Sequence, residues 1–251
     1  MKREYLFFKR IFDIIGSLIF ITICVVPWII IGIIIRIQSP GPIIYKAKRV
    51  GLNGNVFILY KFRTMKVNSG TIRSTTLRND DRIFSFGRFL RKSKLDETPQ
   101  LLNILKGDMS IIGPRPEDEY NFDKFYIGKY KKIVSVKPGL SSPASLYDYT
   151  HGEMLSNEVE YVKEFLPKKL DVELYYIQNK NLLYDFQIII RTIVTILEVL
   201  IGKKNFKEPR EIKIINRRKY EKTICINRIT NYSFGKYNQC ISGTDNNKFF
   251  Q

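Results

Sequence analysis

Acidic residues are scarce in this chain: its 251 residues include 24 Asp and Glu against 42 Lys and Arg, a formal net charge of +18. So cationic a surface suits nucleic acid, anionic lipid headgroups or phosphorylated substrates, and charge alone does not choose among them. Cysteine is equally sparse. Cys24, Cys225 and Cys240 match no zinc-binding spacing and give no framework of disulfides, so neither a structural metal finger nor an oxidised scaffold is expected. The single histidine, His151, has no evident partner and reads as structural or solvent-exposed. No internal repeat and no low-complexity tract is present. The length suits one domain with appendages, long enough to bury a core.

Charge is missing altogether from Ile14 to Ile35, a run dominated by Ile, Val, Leu and Phe. A run of this length reaches across a bilayer core, and no small-residue cleavage site follows it before Arg36, which excludes a cleavable signal peptide. Two details oppose a simple span. Pro27 sits near the middle, where it removes a backbone donor. Basic residues flank both ends (Lys2, Arg3, Lys9 and Arg10 before; Arg36, Lys46, Lys48 and Arg49 after), and Lys/Arg-rich flanks favour the cytoplasm. Halves of roughly 12–14 residues, each about 20 Å long, cannot individually cross a core about 30 Å thick. A re-entrant hairpin broken at Pro27 satisfies both observations; an ordinary kinked span is the alternative. Asp13 at the head of the run suits a helix N-terminal dipole.

Gln38-Ser39-Pro40-Gly41-Pro42 stops the helix. The β-prone runs Ile43–Tyr45 and Val56–Phe62 flank Gly51–Asn55 and predict a β-hairpin. Asn68–Asp81 is polar and reads as a loop. Phe84–Arg91 reads as a short helix with Phe84 and Leu90 turned inward and Phe89 at the margin. Asp96 is placed to cap a second helix through Leu105, with Pro99 in its first turn. Tyr120–Val136 is amphipathic and basic, and Glu158–Gln178 predicts a helix interrupted at Pro167. Leu182–Ile201 is apolar but carries Asp185, Arg191 and Glu198, which fits a helix packed at a membrane surface better than a second deep span. Beyond Gly202 there are about 12 Lys and Arg against about 4 Asp and Glu with little apolar periodicity, the pattern of a weakly structured extension.

The densest chemistry lies in Gly87–Gln100, closed by Gly107-Asp108-Met109-Ser110 and Gly113-Pro114-Arg115-Pro116. Adjacent carboxylates, Asp96 and Glu97, stand among basic residues before a helix. One carboxylate can ligate Mg²⁺ and the other can attack phosphorus, while Arg88, Arg91 and Arg115 can clamp phosphate oxygens. Taken alone, the dyad reads as an acidic pair beginning a helix, and the Pro-Arg-Pro run as a turn.

Together with the apolar run, these motifs resemble one family, the bacterial sugar transferases, which are monotopic polyprenyl-phosphate phosphoglycosyl transferases. The similarity rests on Lys9–Asp13, Ser39–Pro42, Tyr60–Met65, Gly87–Gln100, Asn103–Ser110, Gly113–Pro116, Lys137–Gly139, Leu170-Asp171 with Tyr175-Tyr176, and Asp185, in order from about Lys2 to about Phe206. The resemblance implies an α+β monotopic membrane protein: a re-entrant helix hairpin over residues 1–37, a catalytic domain over 38–206 with a small β-hairpin and interfacial amphipathic helices, and a basic extension over 207–251. It implies transfer of a sugar-1-phosphate from a UDP-sugar to undecaprenyl phosphate with release of UMP, as the first membrane step of a surface-glycan pathway. The place implied is the cytosolic face of a bacterial inner membrane. By the resemblance Asp96 would be the nucleophile, Glu97 the Mg²⁺ ligand, Lys61, Arg91 and Arg115 cations near the active site suited to phosphate, and Pro27 the break in the membrane helix; Arg63 and Arg88 complete the candidate phosphate-binding cations.

The chain departs from the family at Val26, where some members have serine before the proline, at Lys137, where arginine is usual, and at Leu140–Tyr147. These departures bear on the sugar more than on the reaction. A glycosyltransferase releasing UDP is the nearest alternative reading, and a basic membrane adaptor a more remote one. No nucleic-acid partner is expected; the sugar, the glycan pathway and homo-oligomerisation are left open.

Overall fold

The computed structural model describes residues 3–67, 81–152, 155 and 158–221, and the chain divides into two compact units, Met1–Pro209 and Arg210–Gln251. The first begins with α1 (Arg3–Gln38), in which Pro27 lies inside one continuous helical element. The two halves expected on either side of Pro27 are therefore not separate elements. Proline removes one backbone donor, and an otherwise strongly apolar segment can carry the helical path past that loss. The chain then forms β1 (Ile44–Val50) and β2 (Val56–Phe62), paired antiparallel from Ile44 opposite Phe62 to Val50 opposite Val56. This is the hairpin expected from the sequence, with its first strand running further.

After β2 come α2 (Ser85–Ser93), a 3₁₀ turn (Leu95–Glu97) and α3 (Gln100–Lys106). Asp96 does not cap α3; the cap position is Pro99, and the dyad occupies the tighter turn ahead of it. Most of the polar segment read as a loop, from 68 to 80, lies outside the described residues. Next are β3 (Ser110–Ile112), α4 (Glu119–Phe125), a 3₁₀ stretch (Gly128–Ser135) and β4 (Gly139–Ser141), with β4 parallel to β3. This second sheet is too short to leave a periodic pattern. The unit closes with α5 (Pro143–Thr150), α6 (Glu158–Glu160), a π turn (Tyr161–Phe165), α7 (Leu166–Asn179) and α8 (Leu182–Leu200). In the second unit residues 210–221 are helical, where the sequence predicts weak structure, and the rest of that extension, with Cys225 and Cys240, lies outside the described residues.

Two of the apolar clusters are built on α1. Ile31 and Ile35 pack with Phe62, Phe84 and Leu90, while Ile21 and Trp28 pack against Leu59, Leu101, Ile104 and Met109. Polar contacts extend this attachment toward the N-terminus. Arg10 donates to the carbonyls of Ile104 (2.6 Å) and Leu105 (2.9 Å) in the last turn of α3. Asp13 is buried well inside α1 and accepts from Ser110 Oγ (3.0 Å) and Ile111 N (2.9 Å), so it anchors β3 rather than serving a helix terminus. Lys9 and Tyr5 both reach Asp185 on α8, at 2.6 and 2.8 Å, and Tyr176 of α7 donates to the same carboxylate. The opposite face of α1 is apolar and exposed, from Phe7 and Phe8 through Ile23 and Val26 to Ile37. Leu183, Phe186, Ile190 and Leu197 make a similar exposed face on α8.

Candidate active site

Asp96 and Glu97 are both buried in the turn between α2 and α3. Two features of the chain put the turn there. Gly87 lets α2 lie directly on the strand exit, since a Cβ at this position would sit 2.4 Å from the Thr64 carbonyl oxygen. That approach sets Arg91 beside Thr64, to whose Oγ1 its Nε donates at 2.8 Å. Then Lys94 ends α2 with φ 58° and ψ 14°, a left-handed conformation in which a non-glycine residue is strained, and its ammonium lies 4.2 Å from the centre of the Tyr149 ring. The chain enters the dyad immediately after this reversal.

The two carboxyls are shifted in opposite directions. Burial pushes the Asp96 carboxyl up to about 6, the neighbouring Glu97 charge adds to this, and Lys61, Lys94 and Arg91 pull against it. For Glu97 burial acts in the same upward direction but is outweighed by Arg115, Lys94 and Lys61, so the carboxyl is held at about 2. The decisive contact is a two-point ion pair: Arg115 Nη2 lies 2.8 Å from Glu97 Oε1 and Nη1 lies 3.3 Å from Oε2. Such a fork fixes the carboxylate plane as well as its charge. Asp96 Oδ1, by contrast, is buried with no hydrogen-bond partner among the described residues. Lys61 is lowered to about 8, chiefly by burial, with Asp96 and Glu97 raising it and Arg91 and Arg115 lowering it.

Of the cations singled out from sequence, Lys61, Arg91 and Arg115 thus lie close enough to act on the dyad. Arg88 is exposed on α2, one turn before Arg91. Arg63 is turned to a different task. Its guanidinium is buried and donates to Pro42 O (2.5 Å), Ser39 Oγ (2.7 Å) and Ser39 O, clamping the turn that follows α1. Lys94 joins the site without having been singled out; its place directly before Leu95-Asp96-Glu97 was the available signal. His151 ends α5, with Nδ1 2.8 Å from Thr150 Oγ1 and its ring against Tyr147.

Arg115 is itself held from behind. Gly139 approaches Gly113 so closely that a Cβ at 139 would lie 2.0 Å from the Gly113 nitrogen. Gly139 N donates to Pro114 O at 2.8 Å, and the Arg115 N–H is taken by Glu173 Oε1 at 3.0 Å. Nearby, Lys169 pairs with Asp148 at 2.7 Å, and Tyr161 donates to the same carboxylate.

The donor set bears on Mg²⁺. Among the described residues no three His, Cys, Asp or Glu side chains gather into a cage. Mg²⁺ commonly takes only one or two carboxylates and completes its shell with substrate phosphates and water. An unpartnered buried carboxylate oxygen on Asp96 beside an ionised Glu97 fits that mode of binding.

A sequence profile described as bacterial sugar transferase matches residues 4–199. Among similar proteins, a UDP-glucose:undecaprenyl-phosphate glucose-1-phosphate transferase of Xanthomonas campestris pv. campestris is 38% identical over 66% of this chain and 34% of its own length. A UDP-N-acetylgalactosamine-undecaprenyl-phosphate N-acetylgalactosaminephosphotransferase of Aeromonas hydrophila is 36% identical over 77% of this chain and 44% of its own. A second UDP-glucose:undecaprenyl-phosphate glucose-1-phosphate transferase, from Caulobacter vibrioides, is 32% identical over 75% of this chain and 69% of its own. The chain thus spans less than half the length of the first two relatives.

Proposed function

The chain belongs to the bacterial sugar transferase family, and from that premise we propose that it transfers a sugar-1-phosphate from a UDP-sugar to undecaprenyl phosphate with release of UMP. In the first step an Asp96 carboxylate oxygen bonds to the sugar-bearing phosphorus as the bond from that phosphorus to UMP breaks. In the second, a phosphate oxygen of undecaprenyl phosphate attacks the same phosphorus, and the Asp96 carboxylate leaves. The observation that carries this reading is the asymmetry of the dyad: Asp96 keeps a buried oxygen without a hydrogen bond, while its neighbour is neutralised by Arg115. A carboxylate oxygen free of hydrogen bonds is the more nucleophilic, and Lys61, Lys94 and Arg91 supply positive charge where a diphosphate would lie. Glu97 would hold Mg²⁺, which when bound neutralises diphosphate charge.

We further propose a monotopic attachment at the cytosolic face of a bacterial inner membrane. If straight, a helix of 36 residues would be about 54 Å long, beyond the roughly 30 Å of a hydrocarbon core. Yet Lys9, Arg10 and Asp13 near one end, Trp28 beyond the middle, and Ile31 and Ile35 near the other all touch the same globular unit. A unit on one side of a bilayer can hold both ends only if both are on that side, which supports a monotopic attachment with the exposed apolar face of α1 turned to the lipid. The relatives act on different sugars by name, UDP-glucose and UDP-N-acetylgalactosamine among them, so the sugar here is left open.

The test is nucleotide release with undecaprenyl phosphate, Mg²⁺ and a panel of UDP-sugars. UMP is expected with at least one sugar; UDP as the product would indicate extension of an existing lipid-linked saccharide instead. Asp96→Asn is expected to lose at least about 10³-fold in rate while remaining folded. Full activity in that variant would overturn the nucleophile assignment.

A further inference from the structure

Glu173 stands outside every sequence motif assigned to chemistry, yet it is 1% exposed and reaches the candidate active site through the backbone. Its Oε1 accepts from Arg115 N at 3.0 Å and from Ser142 Oγ at 3.0 Å, while Oε2 has no partner among the described residues. Burial raises this carboxyl to about 7, opposed by the Arg115 N–H and the Ser142 hydroxyl. A fully buried carboxyl with one oxygen unpaired is unfavourable for stability alone, so its presence here calls for a reason beyond packing.

That reason lies in what Arg115 offers. Proline has no N–H, so within Pro114-Arg115-Pro116 the Arg115 amide is the one backbone donor. The Pro114 carbonyl and the Arg115 N–H belong to the same peptide plane. Gly139 N holds the carbonyl end at 2.8 Å and Glu173 holds the N–H end at 3.0 Å, so the plane is fixed from both sides. Its orientation sets the direction in which Arg115 leaves the backbone, and the side chain then makes the two-point contact with Glu97.

We propose that Glu173 is a positioning residue for the Asp96-Glu97 dyad, acting through Arg115: by fixing the Arg115 amide it aims the guanidinium at Glu97. The proposal rests on the reading of this dyad as the reacting pair. Glu173 touches neither substrate nor metal in this role. Any polar acceptor of the same reach should serve, whereas an apolar side chain of similar volume should not.

A double-mutant cycle tests this, measured as kcat/KM for UMP release with unfolding midpoints taken in parallel. Glu173→Leu is expected to lower kcat/KM about 10–100-fold, since misplacement of this order carries such costs, and Glu173→Gln, which keeps the carbonyl acceptor, to recover to within about threefold of the parent. In an Arg115→Lys background, where the fork is already lost, Glu173→Leu should cost no more than about a further threefold. Equal fold-losses in both backgrounds would mean a general packing role and overturn the proposal. If the leucine variant does not fold, Glu173→Gln decides: a loss above about tenfold with an unchanged unfolding midpoint also overturns it. Asp96→Asn measured alongside keeps the two readings apart, because activity retained there defeats the dyad assignment and not the positioning claim alone.

Discussion

Trp28 Nε1 donates a 2.9 Å hydrogen bond to Thr98 Oγ1, joining the apolar helix to the residue that follows Glu97. Thr98 Oγ1 in turn donates to the Leu95 carbonyl at 2.8 Å, so the contact runs from α1 into the 3₁₀ turn that carries the dyad. The apolar helix is therefore also part of the frame of the site.

Trp28→Phe keeps the ring in the cluster with Leu59 and Leu101 but removes the donor. A loss of about 1 kcal/mol in stability is expected. Because the lost bond ends on the turn itself, a three- to tenfold drop in kcat/KM for UDP-sugar should accompany it. Kinetics and thermal unfolding of the same preparation check both; unchanged kcat/KM would show that the turn keeps its geometry without the helix.

The Arg115–Glu97 pair carries a pH signature. Glu97 is held at about 2, below the usual glutamate value, so its contribution favours the folded state above about pH 4.5 and is lost as pH falls toward 2. Arg115→Met leaves that carboxylate buried without its main partner and should destabilise by about 1–3 kcal/mol near neutrality, discounted for the partly exposed guanidinium. The difference in unfolding midpoint between parent and variant should be wide at pH 6–7 and close below about pH 3. A difference that persists unchanged in acid would assign the loss to packing of the arginine stem.

Asp96 should behave in the opposite sense. Its folded value, about 6, lies above the ordinary aspartate value, so ionisation disfavours the folded state; the penalty is absent below about pH 4, grows from there to about 6, and is complete above. In protein stripped of divalent metal, Asp96→Asn is thus expected to be more stable than the parent at pH 7 by roughly 1–3 kcal/mol, with the advantage disappearing at pH 4. A variant less stable than the parent at pH 7 would mean that the surrounding cations outweigh the cost of burial. The same substitution abolishes activity in the proposed reaction, so stability and function would trade off at one residue.

Much of this site was legible in the sequence because it is local. Arg91, Asp96 and Glu97 fall within one short segment, and Pro114-Arg115-Pro116 marks itself as a rigid turn. The two-strand hairpin was likewise legible, since β-prone runs flank a Gly- and Asn-rich turn. Illegible parts are those made by long-range approach. Arg63 looked like one more phosphate ligand until the fold placed Ser39 and Pro42 around its guanidinium. Asp13 looked like a helix-start residue but is buried against β3. Glu173 reads as an ordinary helical glutamate, and only the tertiary structure brings it to the Arg115 amide, 58 residues away in sequence.

The path of α1 gives the remaining prediction. Near its N-terminus Arg10 is bound to the carbonyls that end α3, and near its C-terminus Arg36 donates to Gly41 O at 2.6 Å while Gln38 accepts from Phe86 N at 3.0 Å. Each contact is to the same globular unit, and that unit cannot lie on both sides of a bilayer. Single cysteines placed at Glu4 and at Gln38, in a chain whose native cysteines are replaced, should both resist a membrane-impermeant thiol reagent applied to intact cells and both react after permeabilisation. A cysteine at Val26, beside Pro27 on the exposed apolar face, should stay slow to react in both conditions because lipid covers it. Labelling of position 4 from outside intact cells would require α1 to cross the membrane, and with it the loss of the Lys9 and Arg10 contacts described above.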